Sequence, residues 1–187
     1  TDPGQLPTVI EGALAELGGI DILVNDFPVY PSKPFDEHDD GLDNLLQLRS
    51  MLTMAACRAA LPQLKKSPQG RIINIGCLRS FFSIKGEAAR AHAEQDMASL
   101  TRELAAENGE FAITVNYIQP GAVMTPQSRE VFRKDKSLRD HFMQSSAAGR
   151  LGESLDVAKV ALFLASEDAA FVSGTGITVD GGPASAR

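Results

Sequence analysis

A chain of 187 residues, 43% hydrophobic and 22% charged, has the make-up of one ordinary globular domain with a sizeable core. A net charge of −6, with lysine and arginine forming no basic stripe, argues against a nucleic-acid partner. Two cysteines exclude a disulfide framework, and no apolar run approaches the ~18 residues that span a bilayer, so a cytoplasmic chain with no membrane partner is expected.

The first predicted element is a helix, in which Val9, Ile10, Leu14 and Leu17 recur at helical spacing until Gly18 and Gly19 stop it. IDILVN, residues 20–25, is a near-continuous apolar run of strand length, the pattern of a parallel strand covered on both faces. A proline- and acid-rich loop follows. Its carboxylates Asp36, Glu37, Asp39 and Asp40 suit a solvated helix start, where the dipole favours negative charge.

Residues 42–65 read as a long helix whose apolar side chains cover more than one face, which predicts contact with a sheet and with a second surface. Residues 71–75 read as a buried strand and 88–107 as an alanine-rich helix. Residues 113–117 read as a third strand, ended by Pro120 and Gly121. One or two short helices are expected within 126–148. An amphipathic helix over 154–166 has Ser154 as its candidate N-cap, and a last strand spans 177–180. Regular alternation of helix and strand predicts an α/β fold with a doubly wound parallel sheet. The whole of 1–187 is expected to form a single domain.

Four stretches carry a family resemblance, in order along the chain. GGIDILVN, GRIINIG, ITVNYIQPGAVMTP and GRLGESLDVAKVALFLASEDAAFVSGTGITVDGG resemble segments of the short-chain dehydrogenases/reductases. The resemblance implies a Rossmann-like sheet and an NAD or NADP cofactor. It also implies that the amino-terminal βα units are missing from this chain, because its opening Thr-Asp resembles the pair after the family's third strand. No glycine-rich G-x-x-x-G-x-G occurs in these residues to cradle a pyrophosphate.

The resemblance places the family's catalytic serine at Cys77, its tyrosine at Arg90, its lysine at Glu94 and its helix asparagine at Arg49. In the family a lysine one helical turn beyond the tyrosine stabilises the phenolate, which then serves as general acid or base. Here all four positions have changed type. The two tyrosines, Tyr30 and Tyr117, are followed four residues on by Pro34 and Gly121, so no Tyr-x-x-x-Lys exists in any register. Arginine holds its proton at neutral pH and cannot replace the phenol. Glu94 is better suited to an i,i+4 salt bridge with Arg90. Cys77 reads as a small thiol in place of a serine, or as a nucleophile if His92 or Arg90 lowered its pKa.

On the cofactor side, Asn25, Pro120, Gly121 and Thr125 keep the family pattern. Asp26, Phe27 and Pro28 replace the small residues that let backbone approach the nucleotide. The three histidines, His38, His92 and His141, show no metal-ligand spacing, and no metal is expected.

The expected function is that of a catalytically silent family member, a structural or regulatory subunit in a homo- or hetero-oligomer with an active homologous subunit, assembled through helices 42–65 and 88–107. The alternative is an active NAD(P)-dependent oxidoreductase with non-standard residues. A halohydrin-dehalogenase-like enzyme, suggested by the Asn-Asp-Phe-Pro stretch, lacks its serine, tyrosine and arginine here.

Overall fold

The computed structural model describes residues 2–27, 41–76 and 87–183. Four strands form one parallel sheet: β1 (Ile22–Asn25), β2 (Arg71–Ile75), β3 (Thr114–Pro120) and β6 (Gly176–Val179), in the spatial order β1-β2-β3-β6. Helices α1 (Leu6–Leu17), α2 (Gly41–Leu64), α3 (Glu87–Asn108), α4 (Pro126–Lys134), α5 (Lys136–Ser145) and α6 (Ser154–Ala165) fill the connections. Two short strands, β4 (Val123–Met124) and β5 (Gly152–Glu153), pair beyond the end of β3.

Alternation along β2 explains why the sheet is covered twice. Ile72 faces α2 and α3, where Cys57, Ala60, Leu64 and Leu104 pack on it together with Ile113 and Val115. Its neighbours Ile73 and Ile75 point the other way, onto Leu164 of α6 and Ile118 of β3. A strand buried on both faces must be apolar throughout, and β2 is buried at all five residues. The doubly wound α/β fold read from the sequence is the fold observed.

Helix α2 buries Leu46, Arg49, Leu52, Thr53, Ala56, Cys57, Ala60 and Leu64, a line at three- and four-residue spacing. Helix α1 docks against it through Leu6, which clusters with Leu52 and Ala56. Gly18 ends α1 in the left-handed region, with φ of 75°, and donates its N–H to the carbonyl of Leu14.

Two expectations are corrected. Strand β3 runs through Pro120 and pairs with β6 as far as Val179, so the chain breaks at Gly121 rather than before Pro120. The cap of α6 is Glu153, not Ser154: Glu153 and Asp156 form a reciprocal capping box. On the far face of β2, α6 covers Ile73, which is 1% exposed. The open residues are Ile22 and Val24, which share one face of β1, while Leu23 and Asn25 face the other and pack on α2.

Candidate functional site

In open α/β sheets ligands bind beyond the carboxyl ends of the strands, so the candidate site lies where Asn25, Ile75, Gln119 and Val179 come together. The sequence expectations for this edge concern Asn25, Arg49, Pro120, Gly121 and Thr125, and the structure brings all five near it.

Asn25 closes β1 and is 4% exposed. Its side-chain amide donates to Asn74 Oδ1 at 2.9 Å and to Cys57 Sγ at 3.4 Å. Both amide hydrogens are therefore directed at protein atoms, and the side chain ties β1, β2 and α2 together. Burial pushes the Cys57 thiol up to about 11, with the bond from Asn25 acting in the opposite direction. A thiol in that state is protonated at neutral pH and is no nucleophile.

Arg49, which the sequence resemblance places at the family's helix asparagine, reaches from α2 to the carboxyl end of β2. Its guanidinium donates to the backbone carbonyl of Ile75, two residues before Cys77. A buried cation thus occupies the base of the candidate site. Cys77 lies outside the described residues, as does the side chain of Arg90, so the expected Arg90–Glu94 bridge falls outside them too. Glu94 is half-buried on α3. His92, considered as an activator of Cys77, is exposed and lies 3.9 Å from Asp96.

Pro120 and Gly121 are buried at the end of β3, and Gly121 donates to the carbonyl of Val179 at 2.9 Å. A Cβ at Gly121 would stand 2.7 Å from Asp180 Cα, so the close approach of the two loops demands glycine. Thr125 caps α4: its hydroxyl accepts from the Ser128 N–H at 3.1 Å, while its own N–H donates to Ser128 Oγ at 2.7 Å. Ser128 Oγ in turn donates to the carbonyl of Val123 at 2.7 Å, a link that fixes the loop after Gly121.

The opening bordered by Gly121, Phe142, Ser146 and Asp180 measures about 10 Å³, room for a water at most. Phe27 packs on the cluster of Leu6, Leu52 and Ala56, so its ring joins the core between α1 and α2. The amide of Asn25 is already engaged. Among the described residues, no group of three histidine, cysteine or acidic side chains converges to hold a metal.

Sequence reasoning missed two residues of this edge. Asn74, buried beside Asn25, hides in an apolar strand, where a lone polar residue on the covered face was the available signal. Gln119, 7% exposed, closes off Gly76, whose Cβ would come 2.3 Å from the Gln119 side-chain oxygen.

With this geometry in view, the similarities to known proteins take on meaning. The family model described as enoyl-(acyl carrier protein) reductase matches residues 1–183. The chain belongs to the short-chain dehydrogenase/reductase family. It is 32% identical to an uncharacterised oxidoreductase of Schizosaccharomyces pombe over 180 residues, covering 95% of this chain and 69% of that protein. It is 30% identical to the 3-oxoacyl-[acyl-carrier-protein] reductase of Escherichia coli over 183 residues, covering 97% of this chain and 74% of the reductase. Among solved structures, a gluconate 5-dehydrogenase from Burkholderia cenocepacia, in complex with NADP and tartrate, superposes with a TM-score of 0.82 at 27% identity. That match covers 97% of this chain and 71% of the dehydrogenase. The short-chain dehydrogenase/reductase fold and its oxidoreductase family are thereby established. Among the described residues, no helix is long and apolar enough to cross a membrane.

Proposed function

We propose that this chain is a catalytically silent short-chain dehydrogenase/reductase, acting as a structural or regulatory subunit. The observation that carries the reading is the lack of any tyrosine placed one helical turn before a lysine. The ring of Tyr117 supports it: it lies against Gly176, whose Cβ would stand 2.1 Å from the ring, so this tyrosine fills the gap between β3 and β6. A phenol packed there shuttles no proton at the carboxyl edge. The partner in this reading is a second copy or an active homologous subunit, and α2 and α3 form the contact. The locale is the cytoplasm.

A second reading, an active NADP-dependent oxidoreductase with non-standard residues, draws support from relatives named as reductases or dehydrogenases and from the NADP in one solved neighbour. Thermal melting with NADPH and NADH, followed by turnover of a 3-oxoacyl thioester, separates the two. The silent reading expects no turnover. Turnover that survives Arg90→Ala and is abolished by Cys77→Ala overturns it.

A further inference from the structure

Helix α6 is apolar on the side that faces away from the molecule as well as on the side that meets the sheet. On the inner side Leu164 is fully buried, and Val157, Val160 and Ala161 pack with it against Ile73 and Ile118. On the outer side Leu155, Leu162 and Phe163 are 57%, 72% and 41% exposed. With 3.6 residues per turn, Leu155 and Leu162 fall on one line along the helix, and Leu164 lies on the opposite side.

A surface helix ordinarily turns a polar face to water, and one that is apolar all round is a buried helix. Of the twelve residues of α6, the polar ones are Ser154, Asp156 and Lys159. Ser154 and Asp156 belong to the first turn, where Asp156 completes the capping box and accepts from Arg150. Beyond that turn Lys159 is the one charge, exposed on a flexible stem that lets its ammonium swing to a rim.

The outer stripe repeats about its own midpoint. Leu155 and Leu162 stand two turns apart, and the exposed Ala158 lies between them. When a second α6 is laid on it antiparallel, Leu155 of each helix meets Leu162 of the other. The two Ala158 side chains then meet at the crossing, where small residues let helix axes approach closely. Such an internal two-fold pattern suits a copy of itself, and an unrelated partner has no need of it. The stripe is an apolar patch of roughly a few hundred Å², the size that marks interaction sites on soluble chains. Two of them face to face stay below the ~1,200 Å² of a standard interface, which fits a reversible dimer.

We propose that the outer face of α6 is a two-fold contact with a second copy of this chain, Leu155 of one copy packing on Leu162 of the other. This contact lies across the sheet from α2 and α3. It is independent of the subunit reading above and of whether the chain has any activity.

Sedimentation velocity of the full chain from about 1 to 100 μM tests it, since a small two-fold contact saturates at a discrete dimer in that range. The wild type is expected to pass from monomer to dimer. Leu155→Glu and Leu162→Glu each bury an unpaired charge from both copies, and should weaken the dimer by about tenfold or more at an unchanged melting temperature. Crosslinking reads the geometry. Ala158→Cys should form a covalent dimer under copper-phenanthroline oxidation that dithiothreitol reverses, whereas the wild type and Glu110→Cys, at an exposed position off the stripe, should not. A wild type that stays monomeric throughout overturns the proposal. So does a dimer untouched by both glutamate substitutions, and so does Ala158→Cys crosslinking no better than Glu110→Cys. If a glutamate variant melts early, the crosslink decides, because its leucines are intact.

Discussion

At the scale of single residues, Asn25 and Cys57 form a polar contact inside the core. Asn25 supplies the hydrogen-bond donor to Asn74 Oδ1, and truncation leaves that buried acceptor unpaired. Asn25→Ala is therefore expected to lower stability by about 1–3 kcal/mol, seen as a reduced urea midpoint at unchanged slope. Cys57 gives a pH signature. Burial raises its pKa from the ordinary 9.0 to about 11, so between those values the folded chain keeps a proton that the unfolded chain has lost. Stability from this group is complete below pH 9 and falls as pH rises toward 11, by about 3 kcal/mol in all. Urea unfolding of the wild type and of Cys57→Ala across that window should show the steeper alkaline decline only where the thiol is present.

At the scale of elements, the pairing of β3 with β6 rests on a space left by glycine. Tyr117 and Gly176 are register partners, and the tyrosine ring occupies the volume a Cβ at Gly176 would need. Gly176→Ala is expected to cost about 1–3 kcal/mol through overpacking. In combination with Tyr117→Ala much of that penalty should vanish, and a double-mutant cycle on thermal melts measures the coupling. Additive effects would mean the ring can move aside. The same elements show what was legible beforehand. The apolar runs of β1 and β2 and the helical spacing of α2 announced themselves, because burial on a covered face requires such patterns. The cap at Glu153 and the reach of β3 through Pro120 did not, since both depend on which neighbour lies alongside.

At the scale of the whole molecule, both faces of the sheet are covered at β2, whereas β1 stands at an edge among the described residues and one of its faces is open. Ile22 and Val24 are 45% and 50% exposed on a strand paired only with β2 among the described residues. An apolar edge of this kind favours intermolecular pairing. Light scattering is expected to show association that rises with protein concentration, and Val24→Lys should suppress it while leaving the melting curve close to that of the parent chain. Unchanged association in Val24→Lys would assign it to another surface. The proposed assembly through α2 and α3 is one such surface, and Met51, 59% exposed on α2, is a suitable site to probe it.

The sequence by itself determined the α/β class, the family resemblance and the lack of a Tyr-x-x-x-Lys in these residues, because periodicity and residue identity are local properties of the chain. Only the tertiary structure decided where the remaining polar groups point. Asn25 is turned into the core. Arg49 holds the carbonyl at the end of β2, and Thr125 caps a helix. It also set Arg71 and Thr114 side by side as register partners, a pairing that 42 intervening residues conceal in the linear sequence. Hydrogen-bond partners and counter-charges are set by the parallel register of strands far apart in the chain, and no local pattern encodes them.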